Sequence, residues 1–288
     1  MTINQDSFGS YFLNGEFERI YKSMSKDLQN LITPEQLHEV GHSFNEGVES
    51  YGTALQNEFL GGTRTLWLDE SKTKSIHVTF DRDALISGLA IKPYVSFPTT
   101  DKRYSKNTYR MPIQKEWFVF WGGTNEFVNY HYPYEQQRYA YDLVMVKDNK
   151  TYKDTTFSND NYYAFGADVV APYEGKVVSV VDGIRDNVPG EMETENPAGN
   201  HTIIAHPNNE YSMIAHFKKG TIVVEEGEEV QEGQFLGQCG NSGNSSEAHI
   251  HFQLMDHANP DNAASIRIHF QNNIEPIQGD VIQPQESR

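Results

Sequence analysis

The chain has 288 residues, which is enough for two domains of ordinary size. Its 40 Asp and Glu outnumber 23 Lys and Arg, so the formal net charge is −17. This argues against nucleic acid or an anionic membrane as a partner, because phosphates would be repelled. The chain has no run of about 18 apolar residues, so no membrane span is predicted. The single cysteine, Cys239, excludes an internal disulfide.

The first 96 residues predict a small α+β domain with helices on a curved antiparallel sheet. The stretch "FGSYFLNGEFERIYKSMSKDLQNLI" has apolar residues at helical spacing, and "TPEQLHEV" begins another helix with Thr33 as its cap and Pro34 in its first turn. The runs "TRTLWLDE", "SIHVTFDRD" and "LISGLAIKPYV" are typical of antiparallel strands.

A second, mainly antiparallel β domain is predicted over residues 97–280, followed by a flexible tail at 281–288. Helical patterns nearly vanish, and short β-rich runs separated by Gly, Asn and Pro take their place, which favours a sandwich or barrel. The predicted strands include "KEWFVFWGG", "YAYDLVMV", "APYEGKVVSVVDG", "NHTIIAHP", "EYSMIAHF", "GTIVV" and "AHIHFQLM". The segment "GEEVQEGQFLGQ" is interpreted as a Gly-rich hairpin.

The first candidate metal motif is His38-Glu39-Val40-Gly41-His42, which spells H-E-x-x-H. On a helix, two His four apart share a face and can bind one zinc ion while the Glu acts as general base. A catalytic zinc, however, has three protein ligands. Glu46 lies eight residues after His38, about 12 Å along a straight helix, and cannot reach the same ion. We interpret the motif as exposed histidines on a surface helix.

The second candidate motif is "AHIHFQL", where His249 and His251 are two residues apart on a predicted strand. Residues two apart on a strand share a face, so both imidazoles project to the same side. The glycine-rich segment before the pair allows tight turns and close backbone approach. His216, at the end of "EYSMIAHF", is a third imidazole available to the same sheet. Spacing alone does not say which member of the pair binds a metal.

These motifs together resemble the lysostaphin-like zinc endopeptidases that cut peptidoglycan cross-links, including the LytM and LasA types. The family pattern combines an Ala-His at a strand end, a G-x-x-V-x-x-G-x-x-I/L-G segment, a Gly-Asn-Ser/Thr-Gly turn and a His-x-His-Phe strand. This chain has all four in order within "MIAHFKKGTIVVEEGEEVQEGQFLGQCGNSGNSSEAHIHFQLMD". The resemblance covers roughly residues 120–260 and implies a compact antiparallel β fold with one zinc ion.

The resemblance also implies the residues of the site. The family metal is held by a His and an Asp from an upstream segment and by the second His of His-x-His, here His251. The Asp corresponds to Asp142. The usual His four residues earlier is absent, because position 138 is Arg, and His131 is assigned by analogy with members of the LasA type. The alternatives are His201 or His206 as ligand, a site without metal, or Asp142 paired with Arg138.

Roles follow for two further histidines. His249 is expected to be the general base, since an unperturbed imidazole titrates near neutral pH. His216 is expected to stabilise the attacking water or the developing oxyanion. We interpret Cys239 as a small half-buried residue and His201 as exposed.

The resemblance implies a zinc-dependent endopeptidase that acts on peptidoglycan peptides, in an extracellular or cell-envelope location and as a monomer. The segment "MTINQDSFGSYFLNGEF" has neither the basic nor the apolar region of a signal peptide, so none is predicted in it. The first 96 residues resemble the cone-shaped, nuclear-transport-factor-like domains attached to some bacterial hydrolases. The long loop "DGIRDNVPGEMETENPAGN" is acidic, which either favours substrates with free amino groups or merely solvates the loop.

Three other functions compete with this hypothesis. A catalytically inactive member could bind cell-wall peptides or activate another hydrolase. A lipoyl or biotinyl carrier shares the "GEEVQEGQFLGQ" pattern but has a modified Lys at the hairpin tip, where this chain is acidic. A phosphotransferase carrier uses paired histidines but has no need of Asp142, and an acidic surface does not favour it.

Overall fold

The structure, a computed structural model, describes residues 3–284 and divides into two compact units, residues 1–96 and 97–288. The division falls where the helical pattern of the sequence gives way to short β-rich runs. Among the described residues, no helix combines the length and apolar character needed to cross a membrane.

The first unit packs four short helices with a four-stranded sheet. The single helical pattern predicted before residue 33 is broken into three helices by turns at Asn14-Gly15 and at Ser23 to Ser25. Thr33 caps the next helix, as the sequence predicted, and it also forms a capping box with Gln36. The helices are α1 (Phe8–Leu13), α2 (Phe17–Lys22), α3 (Lys26–Gln29) and α4 (Pro34–Asn45).

The sheet of the first unit is an antiparallel meander in chain order. Three of its strands were predicted, and β1 was missed, since its outward-facing polar residues weaken the apolar pattern. The core of the first unit contains aromatic and aliphatic side chains from the helices and the inner strands, among them Phe8, Phe12, Ile20, Trp67 and Val78. The strands are β1 (Tyr51–Phe59), β2 (Gly62–Asp69), β3 (Lys74–Phe80) and β4 (Ile86–Pro93). The resemblance to the nuclear-transport-factor-like fold stays a prediction.

The second unit is built from twelve strands, and its mainly antiparallel character is confirmed. They are β5 (Tyr104–Tyr109), β6 (Trp117–Trp121), β7 (Tyr141–Val144), β8 (Asp168–Val170), β9 (Gly175–Val181), β10 (Asn200–His206), β11 (Glu210–Phe217), β12 (Glu229–Val230), β13 (Phe235–Gln238), β14 (Ile250–Met255), β15 (Arg267–Phe270) and β16 (Val281–Ile282).

Eight of these strands form one open sheet in the order β12-β9-β10-β11-β14-β7-β6-β16. The strands β13 and β8 form a separate antiparallel pair, and β15 pairs with β5 in parallel. The core of the unit contains Trp117, Leu143, Phe217, Phe252 and other apolar side chains. The three central strands β11, β14 and β7 are adjacent, and their shared face carries the site described below.

Three local predictions for the second unit are wrong. The segment "GTIVV" forms no ladder, although Val224 is buried against the core. The segment "GEEVQEGQFLGQ" is not a hairpin, because β12 pairs with β9 whereas β13 pairs with β8. The predicted flexible tail at 281–288 begins with β16, which pairs with Trp117 and Phe118 because Ile282 can bury its side chain there. Residues 285–288 lie outside the described part of the chain.

Candidate active site

The site is created by the register of β7, β14 and β11. His251 lies directly opposite Asp142 on the neighbouring strand, and opposite Ala215 on the other side. Residues paired across antiparallel strands present their side chains on the same face. His251 Nδ1 is therefore 3.0 Å from Asp142 Oδ1, and His249, two residues earlier, places Nε2 at 3.8 Å from the same oxygen. The shared face predicted for the histidine pair is confirmed.

His131 reaches the group from the loop between β6 and β7. It is fully buried, and its Nε2 lies 3.5 Å from Asp142 Oδ2. One donor atom from each of His131, Asp142 and His251 lies within 4.8 Å of the others. Residues 3–284 hold no second group of three such side chains that converges in this way.

The pKa shifts at the site indicate that the Asp142 carboxylate is ionised among the imidazole rings. Burial alone would raise the pKa of Asp142, but the neighbouring His131, His249 and His251 outweigh it and hold the pKa well below its ordinary value. Burial lowers the pKa of His131 to about 4, so this ring is neutral near pH 7. Burial also acts on His251, but its contacts with Asp142 and Gln253 raise its pKa above the ordinary value.

His131 has an unusual environment for a neutral buried ring. Its Nδ1 donates a hydrogen bond to Asn129 Oδ1 at 2.9 Å, so the lone pair is on Nε2. That Nε2 has no hydrogen-bond partner among the described residues. It faces a carboxylate oxygen, so two electron-rich atoms point at each other in a buried site. Such groups are normally hydrogen-bonded or bound to a metal ion.

His216 and His249 form a second pair beside this group, with ring centroids 4.6 Å apart. Each ring donates a proton from Nδ1 to a backbone carbonyl: His216 to Ser242 at 2.7 Å and His249 to Glu247 at 2.9 Å. In the neutral form of each ring the lone pair is therefore on Nε2, the atom that can accept a proton. Burial and the neighbouring His249 hold the pKa of His216 well below its ordinary value.

His216 owes its position to a β-bulge. The pairing of β10 with β11 slips between Asn200 and His201, which leaves His216 outside the regular register. The residue adopts a φ of 68°, in the left-handed region that side chains other than glycine seldom occupy. Bulges redirect side chains next to functional sites, and here the bulge turns His216 toward His249 and His251.

His216 and His251 border a cleft of about 630 Å³. Its walls contain residues from the loop after β9, from β10 and from the segment before β7, and its charged members are Glu195 and Asp261. Among the described residues that line it, none is a Lys or an Arg. A cleft of this size and shape can accommodate an extended segment of peptide.

Several sequence-based alternatives fail at this site. His206 is not a ligand, because its two nitrogens pair with the Glu174 carbonyl and the Ser212 hydroxyl. His201 was predicted to be exposed, but it is partly buried and lines the cleft, with Nδ1 bonded to the Gly199 carbonyl. Arg138 does not pair with Asp142, since it donates to Tyr132 O and Thr100 Oγ1.

Most carboxylates of the acidic loop stabilise the backbone and do not line the cleft. Asp182 accepts from Gly220 N, Asp186 accepts from Asn241 N, and Glu193 accepts from Asn196 N. Glu195 is the acidic residue of this loop that borders the cleft.

Cys239 is fully buried, and burial raises its pKa, so it is not a nucleophile.

Sequence reasoning missed three residues that touch the group. Tyr130 stacks on His131 with ring centroids 3.9 Å apart and borders the cleft. Asn129 and Gln253 accept hydrogen bonds from His131 and His251. Gln253 could have been found from the sequence, because it is two residues after His251 and so shares its strand face. Asn129 carried no comparable signal, since loop residues have no fixed period.

The H-E-x-x-H residues belong to the first unit. His38 and His42 are exposed on α4, as predicted, with ring centroids 6.2 Å apart. Gly41, on the buried side of the helix, faces Phe17 so closely that an added Cβ would lie 2.2 Å from its ring.

Comparison with known proteins finds a family match for part of this chain. Residues 159–263 match the model of Peptidase family M23. The peptidoglycan DD-endopeptidase ShyA of Vibrio cholerae is 32% identical over 104 residues, which is 34% of this chain and 24% of ShyA. The chain thus spans about a quarter of the length of this curated relative. His216, His249 and His251 fall inside the M23 match, whereas His131 and Asp142 precede it.

Two solved structures resemble parts of the chain. The catalytic domain of lysostaphin from Staphylococcus simulans is 20% identical and covers 56% of this chain and 88% of its own, with a TM-score of 0.29. A zinc-containing peptidase from Vibrio cholerae is 13% identical and covers 82% of this chain and 64% of its own, with a TM-score of 0.29.

Proposed function

We propose that the protein is a zinc-dependent endopeptidase of bacterial peptidoglycan, because residues 159–263 match the model of Peptidase family M23. The observation that carries the proposal is the convergence of His131, Asp142 and His251 beside two further imidazoles at the edge of a cleft. The name of the relative ShyA, a peptidoglycan DD-endopeptidase, supports the substrate class.

The residues present fit a zinc ion. Two imidazole nitrogens and one carboxylate oxygen are donors that zinc prefers, and three protein ligands are the number typical of a catalytic site. His131 Nε2 has no hydrogen-bond partner among the described residues and faces Asp142 Oδ2, an arrangement that a bound cation stabilises. When bound, zinc supplies Lewis acidity to the scissile carbonyl and lowers the pKa of water to about 7.

His249 is the proposed general base. Its Nδ1 proton is committed to the Glu247 carbonyl, so Nε2 can accept a proton from the attacking water and then give it to the departing amine. His216 has the same arrangement through the Ser242 carbonyl. Burial keeps His216 neutral, and its ring lies beside His249, where it can orient the attacking water or stabilise charge on the carbonyl oxygen.

The cleft composition bears on the substrate. Glu195 and Asp261 are acidic, and no Lys or Arg lines the cleft, so a peptide with free amino groups is favoured over an anionic polymer. We propose peptidoglycan peptides as substrates without choosing between glycyl bridges and D-Ala-linked cross-links. The family implies an extracellular or cell-envelope location. The net charge of −17 argues against a nucleic-acid partner, and we propose a monomer.

The experiment is digestion of purified peptidoglycan followed by mass spectrometry of the soluble products. We expect new peptide amino and carboxyl termini with intact glycan linkages, and no such products from a His249→Ala control. Release of disaccharides without new peptide termini contradicts the proposal. The masses of the released fragments identify the bond.

A further inference from the structure

Two buried amides, Asn129 and Gln253, each accept a hydrogen bond from a histidine of the proposed metal group. We infer that they are positioning residues that hold His131 and His251 in opposite tautomers, so that a different ring nitrogen of each histidine faces Asp142. The inference rests on the proposed zinc site for its consequence, but the amide contacts that hold a proton on His131 Nδ1 and on His251 Nε2 are present in the metal-free protein.

The orientation of Asn129 is fixed by three backbone carbonyls. Its Nδ2 lies 3.0 Å from Gly123 O, 3.1 Å from Arg138 O and 3.2 Å from Ala140 O. Only the amide nitrogen can donate to carbonyls, so Oδ1 must occupy the opposite side. There it accepts from the backbone N and the Nδ1 of His131, at 3.1 and 2.9 Å. The proton of His131 is thereby held on Nδ1, and its Nε2 lone pair faces Asp142.

The orientation of Gln253 follows from similar contacts. It is 2% exposed, and its Nε2 donates to Gln136 O at 3.3 Å. Its Oε1 lies 2.9 Å from His251 Nε2, which must therefore carry a proton. The Nδ1 of His251, 3.0 Å from Asp142 Oδ1, is the nitrogen left to bind a cation.

The contrast with the neighbouring rings shows what Gln253 does. His216 and His249 donate through Nδ1 to backbone carbonyls, and His131 donates through Nδ1 to Asn129. His251 is the member of this set that presents Nδ1 to the carboxylate, and its Nε2 contacts a side chain. Because the strand register places His251 opposite Asp142, the Nδ1 of His251 faces the carboxylate. Gln253 accepts from Nε2 and so favours the form of the ring that has a proton on Nε2.

Both amides are fixed by the same segment. Gly123, Gln136, Arg138 and Ala140 supply the carbonyls, and all precede β7. This segment therefore contributes a ligand, His131, and also sets the orientation of both amides. The partners of ligating histidines generally fix the tautomer and ring orientation, and their loss typically weakens metal binding by about 10–100-fold.

The test compares zinc affinity, by competition with a chelator, in Gln253→Met, Gln253→Glu and the wild type. Met fills a similar volume without an acceptor, so we expect about 10–100-fold weaker binding. Glu retains an acceptor oxygen for His251 Nε2 and should bind zinc within a few-fold of the wild type. Gln278→Met is the matched control, because Gln278 is also fully buried and donates to a backbone carbonyl, that of Phe120. Its zinc affinity should be unchanged.

A second measurement does not require zinc or a variant. Imidazole ¹⁵N spectra of the metal-free wild type should show an unprotonated Nε2 on His131 and a protonated Nε2 on His251. The reverse assignment for either ring overturns the inference. So does a Gln253→Met protein that folds and binds zinc as tightly as the wild type. A wild type that binds no zinc contradicts the proposed function, and the spectra then still decide the tautomers.

Discussion

The molecule contains two histidine pairs at metal-binding spacing, and they have opposite surroundings. His38 and His42 are four apart on α4, exposed, and without a third donor that converges on them. His249 and His251 are two apart at the start of β14, largely buried, and both within 4 Å of Asp142. Spacing within one element therefore makes two metal ligands possible, whereas a neighbouring element must supply the third ligand.

The difference has a physical cause in the two kinds of secondary structure. On a surface helix such as α4, the face that carries the two histidines is turned to solvent. No other residue of the same straight helix can reach an ion held between them. A strand inside a sheet has neighbours about 4.8 Å away on both sides, so paired residues bring further side chains to the same face. Asp142 reaches His251 in this way, although the two are 109 residues apart.

The largest expected effect is the loss of the metal. His251→Ala should abolish stoichiometric zinc, measured by metal analysis of purified protein, because it removes one of three ligands. His131→Ala should do the same. The matched control is His38→Ala with His42→Ala, which should keep one equivalent of zinc. Loss of zinc in that double variant with retention in His131→Ala would reverse the assignment of the two pairs.

A smaller effect should separate the two roles within the second pair. His249→Ala and His216→Ala should keep most of the zinc yet lower kcat by about 10²–10³-fold each, since they remove proton-transfer and charge-stabilising groups. Peptide-bond cleavage and zinc content are measured on the same preparations. If His249→Ala lost its zinc, His249 would be a ligand and no longer the base.

The smallest effect concerns the first pair. Gly41→Ala should lower the free energy of unfolding of the first unit by about 1–3 kcal/mol, because the new Cβ overlaps the Phe17 ring. This exceeds the gain of about 1 kcal/mol from better helix propensity. Urea unfolding measures it, with the exposed Ser43→Ala on the same helix as a near-neutral control. Zinc content should not change, and a stabilised Gly41→Ala protein would contradict the packing argument.

Local patterns were sufficient for much of the fold. Thr33 and Pro34 marked the start of α4, because capping depends on adjacent residues. Short β-rich runs located β2, β3 and β4 and, in the second unit, β6, β7, β9, β10, β11 and β14. The "GEEVQEGQFLGQ" segment was misread since pairing partners are chosen by the whole sheet, and β12 and β13 found different strands. The tail was misread for a similar reason, as Ile282 packs beside β6.

At the site, strand periodicity was enough to predict that His249 and His251 share a face and that Asp142 lies in an apolar strand. The resemblance supplied His131 and the roles. The folded structure was needed to show that His131 reaches Asp142 and that His206 and Arg138 have other partners. It also placed Asn129 and Gln253 against the outer nitrogens of two rings. These contacts join residues far apart in the chain, and their geometry depends on sheet register and on loop carbonyls, which no local pattern encodes.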